Sequence, residues 1–180
     1  MLTEEQKREF ERIFNFYSLQ KEYDSECRAE WSDKMWAFRT AVSILLYKFT
    51  FDKFEEKNGV EYSSYILEEI RNWVAFIDEH NREERVYKVY KICYEPFGTV
   101  YRQRRRKDML TEEQKLMLEG LYDSYSLHKV YDSKFEEKYD DKMMALRIAV
   151  IILGYRFMFN HMEEEYGVEY PSYRLEEIEN

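Results

Sequence analysis

The chain has 180 residues and a formal charge of -9, enough length for one substantial core or two small ones. Five glycines and two prolines, beside abundant Glu, Lys, Leu, Met and Tyr, exclude a turn-rich β fold and predict an all-α protein. No stretch approaches the roughly 20 apolar residues needed to cross a bilayer, and the opening MLTEEQKREF shows no secretory or transit pattern. The expected location is therefore cytoplasmic, with Cys27 and Cys93 as reduced thiols.

The first helix is predicted to begin at Thr3, where TEEQ supplies a cap hydroxyl and a Gln that reaches back to the cap amide. Phe10, Ile13, Phe14 and Tyr17 follow at helical spacing and form one apolar stripe. YDS at Tyr23 to Ser25 then offers caps for a second, very long helix running to Asn58-Gly59. Its seam is Trp31, Met35, Phe38, Val42, Leu45 and Phe49, and the neighbouring Ala37 and Ala41 permit close helix approach. Arg39 lies beside this seam and, if partly buried, is expected to need a carboxylate or carbonyl partner.

Gly59 fits the left-handed residue that closes a helix, with Val60 as the apolar contact after it. A third helix is predicted from about Ser64, carrying Leu67, Ile70, Trp73, Val74 and Ile77. Residues 73-108 are predicted as a connecting helix to about Tyr94 and then a basic loop, although a β-hairpin turning at EPFG also suits their composition.

At Met109 the sequence begins again. Laid under residues 1-72 without a gap, residues 109-180 match at about 40 of roughly 72 positions, so the chain is a tandem duplication. Thr111 and Gln114 repeat the cap, Leu118, Leu121, Tyr122 and Tyr125 the stripe. Tyr139, Met143, Leu146, Val150, Leu153 and Phe157 repeat the seam, with Ala145, Ala149 and Arg147 beside it. Gly167 repeats the turn, and Pro171-Ser172 opens a further helix. The predicted architecture is two helical modules of about three helices each, 1-72 and 109-180, packed with pseudo-twofold symmetry like a homodimer joined into one chain. Met109 also raises the expectation of a separately made short form, and further homo-oligomers are conceivable.

Charge is unevenly distributed. Copy one holds 11 basic and 15 acidic residues, the middle segment 9 and 6, and copy two 8 and 16. In copy two, Glu136, Glu137, Asp140 and Asp141, with Glu163, Glu164, Glu165, Glu169, Glu176 and Glu177, offer an acidic face that could imitate a phosphate backbone. The expectation is a non-catalytic, acidic inhibitor that binds a protein partner, such as a host nuclease, at its nucleic-acid-binding surface, in the manner of the anti-restriction and anti-CRISPR proteins of mobile elements. An ordinary solvated face is the bland alternative.

The competing reading is direct nucleic-acid binding through Arg102, Arg104, Arg105, Arg106 and Lys107. Catalysis finds little footing: no Glu-x-x-His motif, nucleophile elbow, phosphate loop or cysteine pair at metal spacing is present, so no cofactor or metal is expected. His161 and Glu165 would share a helical face, but Lys53 replaces the histidine in copy one.

Overall fold

The computed structural model describes residues 1–71 and 110–179. α1 (Glu4–Tyr23), α2 (Arg28–Ile44), β1 (Tyr47–Lys57) and β2 (Val60–Glu69) form module one. In module two α3 (Glu112–Tyr131), a short 3-10 turn (Ser133–Phe135), α4 (Glu136–Ile152), β3 (Tyr155–Glu165) and β4 (Val168–Glu177) repeat the order. The protein is an α+β mixture, which overturns the all-α expectation of three helices per module. The readings of residues 73-108, including the connecting helix, and of Met109 fall outside the described residues.

Each module starts with the predicted capping box. Gln6 N–H donates to Thr3 Oγ1 at 3.1 Å while Thr3 N–H donates to Gln6 Oε1 at 2.9 Å, and Thr111 and Gln114 repeat the pair at 3.1 and 3.0 Å. Such a cap satisfies amides that the helix itself leaves unpaired and contributes about 1 kcal/mol.

The long second helix of the sequence reading stops at Ile44. Leu46 takes a φ of 66° and its counterpart Gly154 takes 83°, turning the chain out of the helix. A left-handed leucine costs about 1–2 kcal/mol. Leu46 is 1% exposed, and burying a leucine contributes about 1.5–3 kcal/mol, so packing outweighs the strain. The residues that follow, YKFTF, alternate aromatic and polar as a half-buried strand does. Phe49 falls four residues after Leu45 as well as two after Tyr47, so both periods fit it.

Two consecutive left-handed residues then make each hairpin turn: Asn58 and Gly59 at φ 53° and 76°, Tyr166 and Gly167 at 52° and 77°. This is the type I′ signature, whose twist matches that of paired strands. Gly59 and Gly167 therefore close hairpins and not helices, and Val60 and Val168 open strands. The predicted third helix from Ser64 is the second half of β2, and that from Ser172 is β4. Pairing runs from Lys57↔Val60 to Tyr47↔Glu69 and from Glu165↔Val168 to Tyr155↔Glu177, with Asp52 and Asn160 left unopposed at matching bulges.

The helix beneath each hairpin holds the outer edge of its second strand. Glu11, Asn15 and Ser18 share one face of α1; Leu67 N–H donates to Glu11 at 2.8 Å, Asn15 bonds both backbone groups of Tyr65, and Ser18 Oγ donates to the Ser63 carbonyl at 2.6 Å. Side chains thus stand in for a third strand, and the edge is closed to other strands. Pro171 occupies the Ser63 position of β4, where the missing N–H belongs to the outer edge and costs no ladder bond.

The core runs through both modules. Phe14 stacks on Phe49 at 3.8 Å and meets Tyr65 edge-on at 5.1 Å; Tyr122, Phe157 and Tyr173 repeat this at 3.9 and 4.9 Å. α2 packs against α4, with Ala37, Ala41, Ala145 and Ala149 at 0–1% exposure between them. Two hydrogen bonds cross the boundary reciprocally: Gln6 Nε2 to the Ile152 carbonyl at 3.4 Å and Gln114 Nε2 to the Ile44 carbonyl at 3.3 Å. Residue i of one half meets residue j of the other and the converse, which is the mark of a twofold contact.

Candidate interaction surface

The ten acidic residues singled out in copy two lie on two structural units, a helix and a hairpin. Glu136, Glu137, Asp140 and Asp141 sit in the first turns of α4; the others lie on the β3/β4 hairpin. Asp140 pairs with Lys129 at 2.6 Å, and Glu136 stands 4.0 Å from the same amine. Asp141 faces module one instead of solvent. It lies 3.7 Å from Lys34, which is 7% exposed and holds Glu30 at 2.6 Å. Burial, with Glu30 next, pushes the Asp141 carboxyl up to about 6 despite that amine. In this structure Asp141 contributes to the packing of the two modules.

Lys142, the counterpart of Lys34, is also buried. Its amine lies 4.4 Å from the Trp36 ring centre across the boundary and 5.6 Å from that of Tyr139. Burial lowers its pKa to about 8, with Lys138 adding to the effect and Asp33 opposing it. The arrangement satisfies a cation with ring faces and is structural chemistry.

Hairpin two, Tyr155 to Glu177, carries six glutamates against two arginines and one histidine. Around its turn Glu163 pairs with Tyr170, Glu164 with Glu169 and Glu165 with Val168. Glu164, Glu165 and Glu169 are exposed. Like charges directly opposite one another on a sheet cost about 0.2–1 kcal/mol; hairpin one carries the same cost at Glu56↔Glu61. Glu163 accepts from the Tyr170 hydroxyl at 2.9 Å and stands 3.0 Å from His161, so the expected His161–Glu165 neighbourhood does not form. At the base Glu176 holds Arg174 at 2.7 Å and lies 3.9 Å from Arg156, while Glu177 accepts from the Tyr155 hydroxyl at 3.4 Å. Among the described residues of this hairpin, the carboxylates without an ion pair or hydrogen bond, Glu164, Glu165 and Glu169, lie around the turn.

The sequence reading missed the apolar residues beside them. Phe159, Met162 and Tyr166 are 57%, 52% and 74% exposed, and in hairpin one Phe51 and Phe54 are 48% and 65% exposed with rings 5.1 Å apart. The alternation of YRFMFNHM marks a strand, but Phe159 falls in phase with the inward Tyr155 and Phe157, so its exposure was not legible there. The expected carboxylate or carbonyl partner of Arg39 is likewise replaced: its guanidinium lies over the Phe14 and Tyr65 rings at 5.1 and 5.5 Å. Arg147 lies over Tyr122 and donates from Nε to that ring's hydroxyl.

Arg102, Arg104, Arg105, Arg106 and Lys107 lie outside the described residues. Among the described residues no group of three or more His, Cys, Asp or Glu is placed to hold a metal ion, and no helix is long and apolar enough to cross a membrane. Comparison of the chain with family models, with curated proteins and with solved structures finds no match.

Proposed function

We propose that the protein is a stoichiometric binder that sets hairpin two against a basic surface of a protein partner, of the kind by which a nuclease or another nucleic-acid-binding protein holds phosphates. The observation that carries this reading is hairpin two, where Glu164, Glu165 and Glu169 are exposed around the turn and Phe159, Met162 and Tyr166 are exposed along the same hairpin. Carboxylates repel nucleic acid and speed the encounter with a basic groove. Exposed aromatic and methionine side chains supply what charge alone does not, since contact area of that kind dominates the centre of protein interfaces. Occupying such a groove excludes its nucleic acid, which makes inhibition the expected outcome.

The test is capture from a lysate on the immobilised full chain, beside a variant with Glu164, Glu165 and Glu169 changed to Gln. The expected result is a nucleic-acid-binding protein retained by the native chain, released by added duplex DNA and by salt, and lost from the variant. Equal retention on both, or salt-sensitive binding of labelled DNA by the chain itself with no protein captured, overturns the reading.

A further inference from the structure

The duplication places two versions of one edge clamp in the same molecule, and they differ at the central rung. The outer rungs agree: Leu67 N–H to Glu11 and Ser18 to the Ser63 carbonyl at 2.8 and 2.6 Å, Leu175 N–H to Glu119 and Ser126 to the Pro171 carbonyl at 2.6 and 2.7 Å. Between them module one has Asn15 and module two has Asp123. Asn15 makes a fork, accepting from Tyr65 N–H at 2.7 Å and donating Nδ2 to the Tyr65 carbonyl at 3.0 Å. Asp123 accepts from Tyr173 N–H at 2.8 Å, but an ionised carboxylate has no proton to give back. Among the described residues no side chain donates to the Tyr173 carbonyl. In the pose that Asn15 adopts, the second oxygen of Asp123 would face that carbonyl, acceptor against acceptor.

We propose that Asp123 is a proton-operated latch on hairpin two: protonated, its O–H donates to the Tyr173 carbonyl and completes the fork that Asn15 makes in module one; ionised, it leaves β4 held by one bond fewer. The proton comes from solvent and returns to it. The groups facing Asp123 are Glu119 on α3, Glu163 and His161 on β3, and the Tyr173 amide and Tyr170 on β4. Burial pushes the Asp123 carboxyl up to about 6, Glu163 and Glu119 add to this, and the Tyr173 amide and His161 oppose it. The folded form therefore binds the proton more tightly than the unfolded form. The stabilisation is complete below about pH 4, the ordinary aspartate range, and is lost as pH rises through about 6. Module one, with an amide at this rung, has no such dependence. The latch concerns how hairpin two is held and stands whatever that hairpin binds.

Hydrogen exchange of the full chain at about pH 5 and about pH 7.5, corrected for intrinsic rates, tests it with β2 as the internal control. Between the two, protection at the Tyr173 and Leu175 amides should fall up to roughly tenfold more than at Tyr65 and Leu67. Asp123→Asn should remove that excess, and Asn15→Asp should confer it on β2. Parallel loss of protection in β2 and β4 of the native chain, or an excess that survives Asp123→Asn, overturns the proposal. Asparagine already occupies this rung in module one, so the first variant has a native precedent for its geometry.

Discussion

The hydroxyl of Tyr17 is buried without a hydrogen-bond partner among the described residues, and burial pushes its pKa up to about 12. Its ring meets Phe38 at 5.7 Å and Trp31 at 5.9 Å, so the apolar part of the side chain carries the packing. A buried polar atom left unpaired costs about 1–3 kcal/mol, whereas removing it with its shape otherwise kept can be neutral or better. Tyr17→Phe is accordingly expected to leave stability unchanged or raise it by up to about 1 kcal/mol, read from the denaturant midpoint. The stripe that contains Tyr17 was visible in the sequence because helical spacing depends on neighbours one turn away; Phe10 and Phe14 are 0% exposed. Asn15 and Asp123 were not legible as clamp residues. Their partners lie 50 residues on, and they are backbone groups that any sequence would supply.

α1 and α3 begin where their caps predict, whereas α2 and α4 begin at Arg28 and Glu136, past the Asp and Ser of YDS and with no side-chain cap, and the element boundary after Ile44 depends on packing. Leu46 holds a left-handed conformation only because the surrounding core accepts its side chain, which no local rule would forecast. The turn was more legible than the reading made of it: Asn-Gly between alternating aromatic segments is a strong short-range hairpin signal, and a helix cap was inferred from the glycine and the valine after it. Tyr166-Gly167 in module two carries half of that signal. A tyrosine at φ 52° is strained where asparagine is tolerated, and Tyr166 is 74% exposed. Tyr166→Asn, the pair that module one uses, should stabilise hairpin two by about 0.5–1 kcal/mol, less the loss of a ring contact with Tyr131 at 6.0 Å. Thermal melting of the variant beside Asn58→Tyr, which should lose a similar amount, checks the sign both ways.

Duplication was the feature of the whole molecule most open to sequence, because identity between halves needs no fold to be seen. The boundary between the halves was less so: Ala37, Ala41, Ala145 and Ala149 flagged close helix approach, but nothing in the sequence marks Lys34 and Lys142 as the buried lysines they are. Two carboxyls, Asp123 and Asp141, are raised to about 6, both mainly by burial. Each favours the folded state when protonated, so the stability they contribute falls as pH rises from about 4 to about 6. Exposed pairs such as Glu4–Lys7 act in the opposite direction but weakly, since solvent screens them. Acidification also reduces the self-repulsion of a chain at -9. The melting temperature is therefore expected to be higher at about pH 5 than at about pH 7.5, by a few degrees, and Asp123→Asn with Asp141→Asn should flatten the profile.

Gln6 and Gln114 each hold two posts with one amide group. The oxygen of Gln6 completes the start of α1, while its nitrogen reaches the last turn of α4 in the opposite half, and Gln114 does the same in return. Beginning a helix and joining the halves are thus a single transaction in this chain. If the halves part, both helix starts lose the tether that steadies their glutamines, and fraying at residues 3–6 or 111–114 becomes a local gauge of an event at the molecule's centre.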